Sequence, residues 1–219
     1  KQREFIEIIK VSEAHLLRIV NEVLDFEKIV SNEIVLEETA FDVIKLIEDI
    51  SGIYRLNAED KNLLFTLTCN VKELVVMADS YRLSQVIHNL LGNAVKFTQK
   101  GGITVQVNAT YKTQTEAEVK IKISDTGIGI DEELLKRIFE PYSQGKSAIA
   151  KQFGGTGLGL AICKRLIDAQ QGLITVSSTE NAGSVFTVVF TWQLVAANSC
   201  TVGATASNGL PQPENAIRI

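Results

Sequence analysis

Methionine and tryptophan occur once each, histidine twice and cysteine three times in this chain of 219 residues. The cysteines, Cys69, Cys163 and Cys200, have no close spacing. An odd, scattered set argues against a disulfide framework or a zinc centre and fits a reducing compartment, so a cytoplasmic location is expected. No apolar run reaches about 18 residues, so no segment is expected to span a membrane, although a longer parent protein could be anchored in one. Charge is nearly balanced, with 22 Lys and Arg against 26 Asp and Glu. The net value of -4 gives no general affinity for nucleic acid or an anionic membrane. An initiator methionine and a signal peptide are also missing. Lys1-Gln-Arg-Glu-Phe5 enters a helical pattern at once, which suggests a piece of a longer protein. What is present is ordinary for a globular chain: 45% hydrophobic and 22% charged residues. The length allows one or two domains and a buried core.

Residues 1 to about 30 read as one long amphipathic helix, with Phe5, Ile8, Ile9, Leu16, Ile19, Val20, Val23 and Phe26 three or four apart. A stripe this long needs a partner helix, expected upstream or on another subunit. Packing on the chain's own globular part is the alternative. Glu33 to Glu37 reads as a short strand or extended linker, and Phe41 to about Asn57 as a helix. Strands are expected at Leu63 to Cys69 and Leu74 to Met77. Asp79 is expected to cap a helix running to about Val95. Thr104 to Thr110 and Glu118 to Ser124 alternate apolar and polar residues and read as an antiparallel pair. A short helix is expected over Glu132 to Phe139, and a mobile loop over 141–156. A helix over Leu158 to Ala169 and strands over Leu173 to Ser178 and Ser184 to Trp192 follow. After about Val195 the small, polar composition with Pro211 and Pro213 suggests a disordered tail. The domain boundaries are therefore read as 1–38, 39–195 and 196–219.

Two glycine clusters hold the chemistry. The first is Asp125-Thr-Gly-Ile-Gly-Ile130 and the second, about thirty residues on, is Gly154-Gly-Thr-Gly-Leu-Gly-Leu160. Asp125 ends a strand, where its carboxylate can accept from an exocyclic amine such as adenine N6. Gly127 and Gly129 allow close backbone approach. Gly155, Thr156, Gly157, Leu158 and Gly159 open a helix whose free N–H groups suit phosphate. Asn89 and Asn93 are four apart and share a helical face, where two neutral oxygens suit Mg2+. Lys96 can reach a phosphate as a point charge. In isolation the asparagines could be surface polar residues, and the glycine runs plain turns. The spacing is neither a Walker loop nor a Rossmann fingerprint.

These pieces in this order resemble the catalytic ATP-binding domain of sensor histidine kinases. Asn89 to Thr98 looks like the N box, and Asp125 to Ile130 like the first glycine box. Phe139-Glu-Pro-Tyr142 looks like the F box, Gly155 to Gly159 like the second glycine box, and Gly183-Ser184-Val-Phe186 like the last. The resemblance covers about residues 40–195. It implies a two-layer α/β sandwich with helices on one face of a mixed sheet. This is the Bergerat-type fold also seen in gyrase and MutL, here with a long N-terminal helix. It implies ATP and Mg2+ as cofactors, with Asn89 and Asn93 holding the metal and Asn89 and Lys96 counted as catalytic. Asp125, Gly127, Gly129 and Ile130 would take the adenine, with Phe139, Tyr142 and Thr187 in the ATP-binding set. Lys96, Lys146 and the 155–159 backbone would take the phosphates, under a lid at 141–156.

The first thirty residues resemble the second helix of the family's dimerisation hairpin, which implies a homodimer in the full-length protein and a response regulator or receiver domain as partner. The His-Glu-Leu-Arg-Thr-Pro type motif that carries the phosphoacceptor is missing. His15 falls on the wrong helix and His88 inside the N box. Related ATPases hydrolyse ATP with a Glu four residues before the metal-binding Asn, and here that position is Asn89. This favours transfer to histidine over hydrolysis. A nucleotide-binding module without kinase activity is the other reading.

Overall fold

The computed structural model describes residues 35–143 and 156–195, together with Glu13, which is helical and exposed. The expected long N-terminal helix, the polar tail, Lys146 and Gly155 otherwise lie outside the described residues.

Eleven elements follow one another. They are β1 (Thr39–Asp42), α1 (Val43–Glu59), β2 (Leu64–Cys69), β3 (Val75–Ala78), α2 (Ser80–Phe97), β4 (Gly102–Tyr111), β5 (Glu116–Asp125), the single turn α3 (Glu132–Leu135), α4 (Gly159–Ala169), β6 (Leu173–Thr179) and β7 (Gly183–Leu194). The strands form one seven-stranded sheet in the order β1-β3-β7-β5-β4-β2. β6 pairs with the first half of β7, on the edge that β3 takes at its far end. Only β2 and β4 run parallel; every other pairing is antiparallel.

The two-layer α/β sandwich follows from strand parity. On β4, Ile103, Val105, Val107 and Ala109 are buried; on β5, Ala117, Val119, Ile121 and Ile123 are. Alternate residues face outward and are polar, as on one-sided antiparallel sheets. α1, α2 and α4 cover the apolar face. α2 contributes Leu83, Val86, Ile87, Leu90, Leu91, Ala94 and Val95, spaced three or four apart. At the β7 end Phe190 and Trp192 stack at 4.4 Å, with Phe41 edge-on to Trp192 at 6.5 Å.

Two aspartates set the helix starts. The Asp42 Oδ1 accepts from Ile44 N at 2.9 Å and from Leu74 N at 3.1 Å, tying the start of α1 to the turn before β3. The buried Asp79 accepts from Arg82 N at 2.9 Å, as the sequence predicts for an N-cap, and from Glu37 N at 3.0 Å.

Two expectations require correction. Phe41 belongs to β1, which pairs with β3, and α1 begins only at Val43. A Phe one turn before Ile44 matches a helical stripe, yet as a strand residue it reaches the same core. The helix expected over Glu132 to Phe139 is one turn, capped by Asp131 and ended by turns. Its two acidic residues favour a helix start, but after Leu135 the chain continues as turns, which still bury Ile138 and pack Phe139 on the core. Residues 35–37, the described part of the segment expected as a short strand or extended linker, carry no strand, so the linker alternative holds there.

Candidate nucleotide site

β5 and β7 end together at the pair Asp125↔Ser184. Asp125 follows Ile121 and Ile123 in parity, so its carboxyl extends the core row of the sheet to its rim, where it is half-buried. Gly127 N donates to Asp125 Oδ1 at 2.8 Å. Burial raises the Asp125 carboxyl above its ordinary value. The Gly127 N–H, the Ser184 N–H and the Ser184 hydroxyl, all donating to it, pull the other way. The result is an acceptor held in a partly dry pocket, which suits a ligand amine.

The first glycine turn lies tightly on its neighbours. A Cβ on Gly127 would come within 2.5 Å of the Phe97 carbonyl oxygen. That carbonyl, at the end of α2, accepts from Ile128 N at 3.3 Å. The Ile128 carbonyl in turn accepts from Asn181 N at 2.7 Å, in the turn before β7. Gly129, with φ of 65°, lies against the Thr179 carbonyl. Ile130 packs its side chain partly into the core, and its N–H donates to the Ser178 hydroxyl at 2.9 Å. Ile130 therefore acts on this turn through its backbone.

α2 brings Asn89 and Asn93 together. Asn93 Nδ2 donates to Asn89 Oδ1 at 3.1 Å, on the flank that faces α4. A Cβ on Gly159, the first residue of α4, would lie 2.3 Å from Asn89 Nδ2. Glycine at that position makes room for the asparagine. Two adjacent amides with oxygen donors meet the hard-ligand preference of Mg2+, which keeps several waters of its own. Among the described residues there is no group of three or more His, Cys, Asp or Glu able to hold a metal ion. Lys96 is half-buried on the same helix, with its ammonium 5.0 Å from the centre of the Phe97 ring.

The second glycine cluster is described from Thr156 on. Leu158 N donates to the Thr156 hydroxyl at 3.2 Å, and Leu158 is buried in the core. It starts α4 without a side-chain cap, so the first N–H groups of the helix have no side-chain acceptor at this position. Tyr142 N donates to the Gly157 carbonyl at 3.0 Å, which pins the two ends of the intervening segment together. Tyr142 itself is exposed, with φ of 61°. Phe139 packs against the core.

The register separates one expected residue from the others. Thr187 pairs with Lys122 and Thr175, so it lies on the outer face of the sheet, opposite Asp125. Ser184 occupies the parity of Asp125 instead. Strand alternation from the buried Phe186 is the signal that identifies it. Behind α2, the Tyr54 hydroxyl donates to the His88 carbonyl at 2.8 Å and lies 3.2 Å from His88 Nδ1. Burial lowers the His88 imidazole below its ordinary value.

Residues 78–194 match the family described as Histidine kinase-, DNA gyrase B-, and HSP90-like ATPase. The chain is 37% identical over 188 residues to the signal transduction histidine-protein kinase BarA of Escherichia coli (strain K12), a match covering 84% of this chain and 20% of BarA. It thus spans about a fifth of the length of that relative. Among solved structures, full-length ShkA in complex with AMPPNP is similar at a TM-score of 0.75 with 31% identity, over 90% of this chain and 40% of that one. The catalytic domain of histidine kinase ThkA is similar at a TM-score of 0.57 with 33% identity, over 70% of this chain and 95% of that one. ThkA in complex with the response regulator protein TrrA is similar at 0.62 with 29% identity, over 87% and 51%.

Proposed function

From the premise that this chain belongs to the histidine kinase-, DNA gyrase B- and HSP90-like ATPases, and within them to the ATP-binding catalytic domains of histidine kinases, we propose that it positions ATP for phosphoryl transfer to a histidine. The acceptor histidine lies on a helix upstream of residues 1–38, the second helix of a dimerisation hairpin, in a parent protein that works as a homodimer on the cytoplasmic side. A response regulator or receiver domain takes the phosphoryl group onward. The catalytic unit is 39–195, and 196–219 is a linker or tail.

The observation that carries this reading is the half-buried Asp125 at the rim, with Gly127 leaving space beside it. Its carboxylate accepts from the adenine amine, and Ser184 stands beside it. Gly127 and Gly129 keep the backbone low around the base. Lys96, Lys146 and the 155–159 backbone hold the phosphates, the last through the start of α4. Asn89 and Asn93 would hold Mg2+ through their oxygens, and the metal would supply charge neutralisation at the phosphates. The residues' own contribution is positioning: they align the terminal phosphorus with the incoming imidazole nitrogen and hold water away from it. Hydrolysis is disfavoured because the position of a hydrolytic carboxylate base is taken by the amide Asn89, which cannot accept a proton from water.

Isothermal titration of the chain with ATP, with and without Mg2+, tests the binding half. Micromolar to millimolar affinity that strengthens with the metal is expected, and no binding would overturn it. Incubating the full-length parent with γ-labelled ATP tests the transfer half. Acid-labile, base-stable label upstream of Lys1 is expected; label on His15 or His88, or free phosphate alone, would refute it.

A further inference from the structure

Ser178, near the end of β6, joins the first glycine turn to the β6–β7 turn and to Ser184, the partner of Asp125 in the β5–β7 register. Ile130 N donates to the Ser178 hydroxyl at 2.9 Å. The Ser178 hydroxyl donates to the Gly183 carbonyl at 2.7 Å and lies in donor geometry 3.1 Å from the Ser184 hydroxyl. With the Ser178 proton shared between those two oxygens, the Ser184 proton is left for Asp125, its partner in the β5–β7 register, whose carboxyl the Ser184 hydroxyl and N–H pull down against the effect of burial. The donors thus run in one direction, from the Ile130 amide through Ser178 and Ser184 to the carboxylate. Chains of aligned hydrogen bonds polarise one another, most strongly away from bulk water.

We propose that Ser178 is a positioning residue for purine recognition: it orients the Ser184 hydroxyl toward Asp125, its partner across β5 and β7, and so keeps that carboxylate aimed at the base. Ser178 does not touch the nucleotide; it acts through Ser184. This rests on the nucleotide reading above and adds to it a residue that no motif of the sequence singled out. Loss of the hydroxyl frees Ile130 N–H and lets the Ser184 proton turn away. Asp125 then keeps the burial that raises its carboxyl and loses part of the hydrogen bonding that lowers it. Among the described residues, the groups that act on the Asp125 carboxyl are the Gly127 N–H and the Ser184 N–H and hydroxyl, with no charged side chain among them.

The test is Mg·ATP binding by isothermal titration between pH 5 and 8, on the whole chain. It compares wild type, Ser178→Ala, Ser178→Thr, Asp125→Asn and the Ser178→Ala/Asp125→Asn double variant. Ser178→Ala should weaken binding about tenfold at pH 7, the scale of one charge-assisted hydrogen bond, and move the acid limb of the pH profile upward. Ser178→Thr, which keeps a hydroxyl, should bind as wild type does. In the Asp125→Asn background the alanine change should cost less than about twofold, because coupled residues are not additive. Unchanged binding by Ser178→Ala while Asp125→Asn loses it would overturn the proposal and leave the nucleotide reading standing. An equal loss in both backgrounds with no shift in the pH profile would reduce Ser178 to a structural residue. Unchanged binding by Asp125→Asn would remove the nucleotide reading, and Ser178 with it.

Discussion

Replacing Asp125 by Asn separates what the carboxylate does for the ligand from what it does for the fold. The new amide keeps one oxygen for the Gly127 N–H, which now sits 2.8 Å from Oδ1. It places an NH2 where the second oxygen accepted. An adenine amine offers a donor there, so donor would face donor in the complex, whereas the Ser184 hydroxyl can turn to accept from the new NH2. A hydrogen bond to a charged group is worth about 1.5–3 kcal/mol, so ATP affinity should fall roughly 10- to 150-fold. Stability moves the other way or not at all. Burial raises the folded-state value of this carboxyl, so the native state binds its proton more tightly than the unfolded chain does. The ionised group therefore costs stability at neutral pH, and that cost is lifted as pH falls through the raised folded value. Binding has the opposite dependence, since the protonated acid loses an acceptor. Asp125→Asn should thus flatten the acid limb of ATP binding without lowering the melting temperature at pH 7. Titration calorimetry paired with thermal unfolding measures both. Affinity within twofold of wild type would refute the argument, and a large loss of melting temperature would show that the carboxylate is a structural group.

Three further outcomes are expected. Gly159→Ala pushes a Cβ to 2.3 Å from Asn89 Nδ2; alanine favours helices by about 1 kcal/mol, so thermal stability should hold or rise while Mg-dependent ATP binding weakens, and unchanged metal dependence would count against the Asn89 assignment. Gly183→Ala sets a side chain at φ of 99° with its Cβ 2.0 Å from the Asp125 carbonyl oxygen. It should cost at least about 2 kcal/mol, read by urea titration of the fluorescence of Trp192, the single tryptophan; a loss under about 1 kcal/mol would show that the β5–β7 end can yield. Cys163 is fully enclosed, and burial pushes its thiol up to about 12; at pH 8 iodoacetamide should leave it unmodified in the native chain and alkylate it only after denaturation, as mapped by peptide mass spectrometry.

The elements with a strong period were the legible ones. β4 and β5 alternate cleanly because one face meets helices and the other meets water, and the expected limits fall within two residues of Gly102–Tyr111 and Glu116–Asp125. α2 announced itself through Asp79 and its stripe of apolar residues. β1 did not, since four residues are too few to distinguish a strand from the first turn of the helix that follows. The site was legible where chemistry and spacing coincide: Asn89 with Asn93, and Asp125 with Gly127. It was not legible where it depends on parity or distant contact. Thr187 and Ser184 are three apart on β7, so they take opposite faces. Ser178 meets Ile130 across 48 positions, a separation that local pattern cannot bridge.

The 18 residues of α2 serve two masters at once. One face is welded to the sheet by Leu83, Val86, Ile87, Leu90 and Leu91, and the flank beside it presents Asn89 and Asn93. Rotating the helix by a single residue, about 100°, would lose the core and the asparagine pair together. The pair has no slack of its own. Its backbone amides should exchange with deuterium only when the whole domain opens, whereas those of the 125–130 turn can exchange through small local openings. One half of the candidate site thus inherits the durability of the core, and the other half depends on the few contacts that hold the 125–130 turn.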